Sequence, residues 1–447
     1  MKKLIFLFTL SSFLTYAQNI KGVVLDKNTN LGIENVNIIS LKKTATALTD
    51  EDGKFNLKLK NEIQYNDSIY FSHVGYITKG ILISEFKKNI FSIQLETEIE
   101  NLKETTIYNH KNLKSKISYT KLSNLKKGIY SFGSVLIDGK IYVIGGDTSF
   151  ESDAFKKLQY ENPDFTFEDY TRELAMQFSG NVFSGNLYIY NIKQDYWEKS
   201  TADFRKRAYH NLNYYDHKIY VIGGRRRSRN GVYDYLENTI ELYDLKNKTI
   251  EIDKTNPHQA TNFSSFTYKD NIILLGGSTK SNEKGKKIYS KEVHNYDTKS
   301  GYWYKLEDMP NAKETSGVLV GDKIYLIGGY NNKPLTEITT LDLITGKWDT
   351  IGNLPYAMEK PALTVNNDTI YIFENGKIST FDINSKNLKE YLIDLPMKAS
   401  QLYFYNDTIY LLGGSIENYY SKSPSANLYS IDLNEFTTTK IYSFKTL

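Results

Sequence analysis

The chain has 447 residues, enough for two or three domains, and its 24% charged and 40% hydrophobic residues are typical of a folded globular protein. The formal net charge of +4, from 56 Lys and Arg against 52 Asp and Glu, is too small to indicate nucleic-acid binding. Cysteine is absent, which excludes disulfides, thiolate metal ligands, cysteine nucleophiles and lipid attachment at a cysteine.

Residues 1–17 have the pattern of a secretory signal peptide. Two lysines precede a mostly apolar stretch from Leu4 to Leu14, and the segment ends with Thr15-Tyr16-Ala17. Because the apolar stretch is too short to span a bilayer comfortably, we expect cleavage after Ala17 rather than an uncleaved anchor. No later segment has 18 consecutive apolar residues, so we expect no transmembrane segment in the mature chain. We expect export, to the periplasm in preference to the medium.

Residues 18–108 predict a small β-sandwich of short antiparallel strands. Apolar and polar residues alternate in runs that are separated by Gly, Asn and Asp, and Asp50-Glu51-Asp52-Gly53 predicts a tight turn with positive φ at Gly53. The segment resembles the carboxypeptidase-regulatory-like domain, which has a transthyretin-like fold and is non-catalytic. The motifs that carry the resemblance are Gly22–Asp26, Ile33–Ile38, Thr49–Phe55 and Phe71–Tyr76.

Residues 109–123 are predicted to be a linker, and residues 124–447 contain one motif six times. Its strongest unit is an apolar strand that ends in two glycines, found at Ile141–Gly146, Ile219–Gly224, Ile272–Gly277, Ile324–Gly329, in decayed form at Ile370–Asn375, and at Ile409–Gly414. A second unit pairs an Asp or Asn with a bulky residue six positions later, at Asn191/Trp197, Asp244/Ile250, Asp297/Trp303, Asp342/Trp348, Asp382/Leu388 and Asp432/Thr438. All three tryptophans of the chain occupy this position.

These units resemble Kelch repeats, which implies a six-bladed β-propeller with four strands, a to d, in each blade. The chain is thus predicted to be all-β. Residues 147–180 are an insertion between strands b and c of the first blade. Two segments compete to supply the outer strand that closes the ring: Ile117–Leu122 before the first blade, and Phe436–Tyr442 at the end. The C-terminal segment is the favoured of the two.

Propeller geometry places the b–c and d–a loops on one face, and the long loops of this chain are all b–c: 147–180, 225–238, 278–292 and 415–426. We therefore expect the ligand face there. The candidate ligand-binding residues are a basic position before strand a (Lys127, Arg207, Lys313, Lys360 and Lys398), the loop arginines Arg225, Arg226, Arg227 and Arg229, and Tyr209 with His210. Cations at a channel mouth would attract an anionic ligand, although basic residues at this position can also be structural.

The sequence favours a non-catalytic binding protein without metal or cofactor, whose partner is an envelope protein or a glycan. Galactose oxidase, a Kelch propeller enzyme, needs a Tyr–Cys crosslink that this chain cannot form, and the six histidines show no ligand spacing. The enzymatic alternative is a sugar enzyme similar to the exported sialic acid epimerase (mutarotase), a six-bladed Kelch protein. Its acid, base and carboxylate clamp would have to come from Arg207, His210, Arg225 and Glu237.

Overall fold

The computed structural model describes residues 19–40, 46–59, 67–86, 91–97, 113–176, 183–228, 233–281 and 287–447. The predicted signal peptide and Arg229 lie outside the described residues. The chain divides near residue 109 into two compact units.

The N-terminal unit consists of two sheets around one apolar core. The three-stranded sheet contains Asn19–Asp26, Lys54–Lys58 and Phe91–Leu95, and the four-stranded sheet contains Asn37–Ser40, Thr46–Leu48, Ser68–Ser72 and Lys79–Leu82, followed by the short 3-10 helix Ile83–Glu85. Alternate residues such as Val24, Leu57 and Ile93 point into the core, as the period of two predicts. Gly53 has φ +75° in the predicted turn. One expectation was wrong: Asn19–Asp26 pairs with Phe91–Leu95 in parallel.

The second unit is a propeller of six blades. Strands a to d of blade one are Gly133–Ile137, Lys140–Ile144, Asn186–Asn191 and Tyr196–Asp203, and those of blade two are Asn211–Tyr215, Lys218–Ile222, Ile240–Asp244 and Ile250–Asp253. Strands a to d of blade three are Ser264–Tyr268, Asn271–Leu275, Val293–Asp297 and Trp303–Lys305. Those of blade four are Gly317–Val320, Lys323–Ile327, Leu335–Asp342 and Trp348–Met358. Blade five contains Ala362–Asn366, Thr369–Glu374, Lys377–Asp382 and Asn387–Leu392, and blade six contains Gln401–Tyr405, Thr408–Leu412 and Leu428–Asp432.

Six apolar clusters hold the blades together, one between each pair of neighbours. Ile144 of blade one packs with Leu212 of blade two, and the same arrangement repeats around the ring. The sixth cluster joins Leu412 of blade six to Val143 of blade one, so the ring is closed. One four-stranded sheet cannot bury both of its faces alone. In the closed ring each sheet packs on two neighbours, and this burial is the physical reason that the sheet is repeated.

The strand that closes the ring comes from the N-terminal side, contrary to the expectation of a C-terminal one. Thr120–Lys121 pairs with strand c of blade six and is its outer strand. At the C-terminus, Glu435–Thr438 is a short helix, and Ser443–Thr446 adds a fifth strand to blade five instead. Residues 113–123 are therefore part of the propeller and not a linker, and Ile117 is buried in the cluster between blades five and six.

The long b–c loops form ordered secondary structure. Those of blades two and three are hairpins, Arg225–Arg227 with Asp234–Leu236 and Ser278–Ser281 with Lys287–Tyr289. The insertion of blade one contains two helices, α1 (Ala154–Glu161) and α2 (Phe167–Met176), which an all-β prediction did not include. Its strand Glu151–Ser152 pairs with the blade-six hairpin of Ser415–Glu417 and Ser421–Pro424, to which Met397–Lys398 also pairs. Loops of blades one and six thus meet on one face.

Candidate functional site

Two of the five basic residues before strand a are buried inside the propeller. The Arg207 side chain is 0% exposed, with Nη2 2.5 Å from Glu241 Oε2 and Nη1 donating to the carbonyl oxygen of Gly223. Lys313 is similarly enclosed, and its Nζ lies 2.8 Å from Glu337 Oε1 and 3.3 Å from the carbonyl oxygen of Gly328. Burial lowers the pKa of both cations, and their carboxylate partners oppose that effect. Both side chains hold their own blades together and are inaccessible to a ligand.

Two other lysines at this repeat position, Lys127 and Lys398, differ from one another in exposure. Lys127 is exposed on the surface. Lys398 lies on the loop face, where its Nζ forms an ion pair of 2.8 Å with Glu417. That ion pair raises the pKa of Lys398. Burial acts to raise the pKa of Glu417, but the bond to Lys398 and the charge of that lysine lower it overall.

The arginines of the blade-two hairpin are neutralised largely within the hairpin itself. Arg225 Nη1 lies 3.2 Å and Arg227 Nε lies 2.9 Å from the carboxylate of Asp234, on one side of the strand. Arg226 points to the other side, where its Nε is 3.7 Å from the buried Glu237. The predicted cationic cluster therefore carries less free charge than the sequence Arg225-Arg226-Arg227 indicates, and Arg225 alone of these three lines the cavity described below.

Tyr209 and His210 adjoin one another in sequence but have different surroundings. Tyr209 faces the loop side, with Arg225 Cζ 4.3 Å above its ring and its hydroxyl 3.3 Å from Asp147. Burial raises the pKa of Tyr209 to about 12. The His210 ring packs on the glycine pair of blade one, where a Cβ on Gly145 would lie 2.6 Å from it. Burial holds the pKa of His210 well below its usual range, so the ring is neutral and has a packing role.

A cavity of about 260 Å³, here called the channel-mouth cavity, opens on the loop face at the propeller axis. Its wall combines five basic residues with three acidic ones and several neutral polar groups. They are Arg225, Lys287, Lys360, Lys398 and Lys422; Glu359, Glu374 and Glu417; and Ser131, Tyr209, Thr261 and Asn262, together with the apolar Ala399. The lining thus carries an excess of two positive charges. Blades one, two, three, five and six all contribute, so only the closed ring assembles the cavity.

Lys360 stands at the base of the channel-mouth cavity. Its Nζ donates to Asn262 Oδ1 at 2.9 Å and lies 3.5 Å from Ser131 Oγ, so its partners are neutral groups of blades three and one. Among the described residues no carboxylate forms an ion pair with it, whereas the other four cations of the cavity each have one. Desolvation lowers the pKa of Lys360 to about 8, which leaves the ammonium mostly charged at pH 7.

Below Lys360 a narrower cavity of about 180 Å³ continues along the axis. Hydroxyl and amide side chains dominate its polar wall, among them Ser134, Asn211 and Ser265 of the strands a and Thr315 just before strand a of blade four. Lys360, Tyr209 and Asn262 line both cavities, so they form the floor between them. The arrangement presents one ammonium group, surrounded by neutral donors and acceptors, at the bottom of a polar depression.

Sequence reasoning missed several residues of this site, and one of them had a readable signal. In blade five, Asn375 and Gly376 have φ of 45° and 81° and join strands b and c directly, with Glu374 paired to Lys377. Asn-Gly is the preferred pair for a two-residue hairpin turn, so this copy is a hairpin rather than a decayed glycine pair. Glu374 consequently stands at the cavity, where burial raises its pKa. Lys287 and Lys422 had no such signal.

Two further structural findings bear on function. In the described parts of the chain, no cluster of three or more His, Asp or Glu side chains is arranged to hold a metal ion. Nor does any described helix combine the length and apolar character that a membrane crossing requires.

Comparison with known proteins identifies both units. A family model described as the KLHDC2/KLHL20/DRC7 Kelch-repeats domain matches residues 173–376, and a CarboxypepD_reg-like domain matches residues 20–107. The solved structure of YjhT has a TM-score of 0.53 and 14% identity to this chain, and the match covers 68% of this chain and 95% of that one. At this identity the likeness shows the fold alone.

Curated relatives match parts of the chain. Kelch-like protein 38 of Rattus norvegicus is 21% identical over 53% of this chain and 43% of its own length. Kelch repeat protein C2 of Vaccinia virus (strain Western Reserve) is 26% identical over 34% of this chain and 29% of its own, and human Kelch-like protein 23 is 28% identical over 31% and 23%. The chain thus spans less than half of each of these relatives. Together, the repeats, the closed ring and these matches make the chain a Kelch-repeat propeller protein with an N-terminal CarboxypepD_reg-like domain.

Proposed function

We propose that this chain is an exported binding protein whose channel-mouth cavity takes a small carboxylated sugar. Lys360 is the observation that carries the proposal: its hydrogen-bond partners among the described residues are neutral, so the charge of its ammonium group is available to a ligand. A carboxylate placed against it would gain a charge-assisted hydrogen bond. The excess positive charge of the lining favours the same sign of ligand.

The shape and chemistry of the cavity favour a sugar over a protein partner. A concave depression of about 260 Å³ encloses a small molecule, whereas protein partners bury far larger and flatter surfaces. The hydroxyl groups of Ser131 and Thr261, the amide of Asn262 and the carboxylate of Glu374 are suited to bind sugar hydroxyl groups.

Three of the four residues first considered for the catalytic alternative are enclosed. Arg207 and Glu237 are 0% exposed and His210 is 3% exposed, so their side chains are unavailable to serve as clamp, acid and base. The fourth, Arg225, lines the channel-mouth cavity, so a sugar enzyme at this face would need its acid and base from other groups of the lining, such as Lys360 and Glu374. The binding experiment therefore also tests for a mutarotase-like reaction.

The experiment is calorimetric titration of the mature chain with matched acid and neutral sugars: galacturonate against galactose, glucuronate against glucose, and N-acetylneuraminate. We expect at least one acid to bind at least tenfold more tightly than its neutral counterpart. Lys360→Gln should weaken that binding by about 10- to 100-fold, since a hydrogen bond to a charged group contributes about 1.5–3 kcal/mol. Lys127→Gln, which removes an exposed charge of the same repeat position, is the control and should leave affinity unchanged.

Equal binding of acid and neutral sugars, or no binding of either, would contradict the proposal. Anomer interconversion by the protein at well above the rate in buffer, followed by NMR with the same sugars, would instead assign the cavity to a sugar enzyme.

A further inference from the structure

A second cavity, here called the outer cavity, lies between the insertion of blade one and the hairpin of blade six. Its volume is about 340 Å³, and it is lined by residues within 151–156 and 417–422. Glu417 and Lys422 line this cavity and the channel-mouth cavity alike. The two depressions therefore adjoin, with one wall in common.

The common wall is a connected set of polar groups. Lys422 Nζ lies 4.4 Å above the ring of Tyr130 and 3.8 Å from Glu417. The Tyr130 hydroxyl in turn donates to Glu151 in the outer cavity at 3.1 Å. Tyr130 is 0% exposed, so a ligand that crosses this wall meets the charged side chains of Glu417 and Lys422.

The insertion of blade one holds the blade-six hairpin in position. Glu151 pairs with Lys422 across an added strand, and the backbone N–H of Asp153 donates to the carbonyl oxygen of Tyr420 at 2.8 Å. The Tyr420 hydroxyl donates to Glu161 of α1 at 2.8 Å. Because these bonds fix Tyr420, its neighbour Tyr419 is presented at the cavity with 64% of its surface exposed.

Size and chemistry together point to a ligand longer than one sugar. The channel-mouth cavity alone falls below the ~300–1,000 Å³ of typical small-molecule sites, while the adjoining outer cavity extends it in one direction. An exposed tyrosine ring is a flat, rigid contact surface whose face is apolar and whose edge is polar, and it can pack on the C–H face of a sugar.

Glu151, Asp153 and Glu417 outnumber Lys156 and Lys422 in the outer cavity, which disfavours a second anionic sugar there. We propose that the outer cavity is a second subsite for the same ligand, a linear oligosaccharide with one carboxylated unit followed by uncharged sugars. One unit places its carboxylate at Lys360, and the following units cross Glu417 and Lys422 to pack on Tyr419. This inference rests on the proposed function, because it takes the channel-mouth cavity as the first subsite.

The test compares each acid sugar with an oligosaccharide that begins with it: N-acetylneuraminate with sialyllactose, glucuronate with glucuronosyl-xylotriose, and galacturonate with galacturonosyl-rhamnose. For the acid that binds, we expect the oligosaccharide to bind at least tenfold more tightly than the monomer, and because each carries one carboxylated unit this gain is not statistical. Tyr419→Ala should remove that gain and leave monomer affinity unchanged. Tyr302→Ala is the matched control: Tyr302 is 66% exposed in the c–d turn of blade three, on the opposite face, so both affinities should persist.

The outcomes separate this inference from the proposed function. If the monomer binds in a Lys360-dependent manner but the oligosaccharide gains no more than twofold, the second subsite is wrong and the first remains. Equal weakening of monomer and oligosaccharide by Tyr419→Ala would likewise overturn the second subsite. If no monomer binds, the channel-mouth assignment fails and the second subsite fails with it.

Discussion

The repeat position before strand a carries a cation in five blades, yet the environment of Arg207 and Lys313 differs from that of Lys360. Arg207 and Lys313 turn inward and each binds a carboxylate of its own blade. Lys360 turns toward the axis and binds neutral groups of other blades. The charge of a buried cation with a carboxylate partner is neutralised within the protein, and the pair stabilises the fold. A cation with neutral partners keeps its charge for another molecule, so the difference separates structural from ligand-binding roles.

The largest expected effect is a loss of unfolding free energy at Arg207, which tests the structural role of this buried cation. Arg207→Met leaves Glu241 buried without its counter-charge, and loss of one partner of a buried pair costs about 3–5 kcal/mol of unfolding free energy. Denaturant unfolding of the propeller measures the loss. The double variant Arg207→Met/Glu241→Leu removes both charges and should regain much of the stability. If the unfolding free energy of Arg207→Met lay within about 1 kcal/mol of the wild-type value, Arg207 would not have a structural role.

Lys313→Met should destabilise the propeller less, by about 1–3 kcal/mol. Its partner Glu337 keeps 24% of its side chain exposed, so water can solvate the carboxylate that loses its lysine. The same unfolding measurement ranks the two variants. A loss equal to that of Arg207→Met would show that exposure of the partner does not decide the cost.

Ligand binding should depend on pH through Lys360. Desolvation sets its pKa to about 8, below the usual value, so the ammonium is mostly charged at pH 7 and mostly neutral at pH 9. Affinity for the acid sugar should therefore fall about tenfold between these values, as the protonated fraction falls. Calorimetry at both pH values measures it. Lys360→Arg retains its charge and should flatten the profile; an unchanged wild-type affinity at pH 9 would exclude Lys360 as the anion partner.

The smallest effect is expected at Lys127. Because this side chain is exposed on the surface, Lys127→Gln should change unfolding free energy by no more than about 0.5 kcal/mol. Sugar affinity should change less than twofold. A larger loss of affinity would mean that long-range charge, and not the contact at Lys360, attracts the ligand.

The repeated motifs were sufficient to predict six blades, since strand b with its glycine pair and the Asp-to-Trp spacing are local patterns. The structure confirms their roles: Asp244, for example, accepts from the backbone N–H groups of Lys246 and Asn247, and Trp303 packs between blades two and three. The closing strand was mispredicted because Thr120–Lys121 is a two-residue strand, and its pairing with blade six depends on ring closure rather than on any periodic pattern.

The site was harder to predict than the fold. Arg207, Lys313 and Lys360 have equivalent places in their repeats, and no feature of the sequence indicates which of them faces the axis. Glu241 and Glu337, which lie far from them in sequence, pair with Arg207 and Lys313. Lys360 instead donates hydrogen bonds to Asn262 and Ser131 of other blades. The excess of arginine at 225–227 suggested more free charge than exists, because Asp234 and Glu237 neutralise it.

The sequence by itself determined the strands, the turns and the number of blades, because each of these depends on residues within a few positions of one another. Only the tertiary structure decided which cations remain unpaired, which loops meet and where the cavities lie. Arg207 and Lys313 pair within their own blades. The neutral partners of Lys360, the meeting of the loops and the cavities arise from contacts between residues of different blades, and such contacts exist only once the ring has closed. A cavity at the axis of a ring therefore belongs to no single repeat, and reading the repeats one at a time could not reveal it.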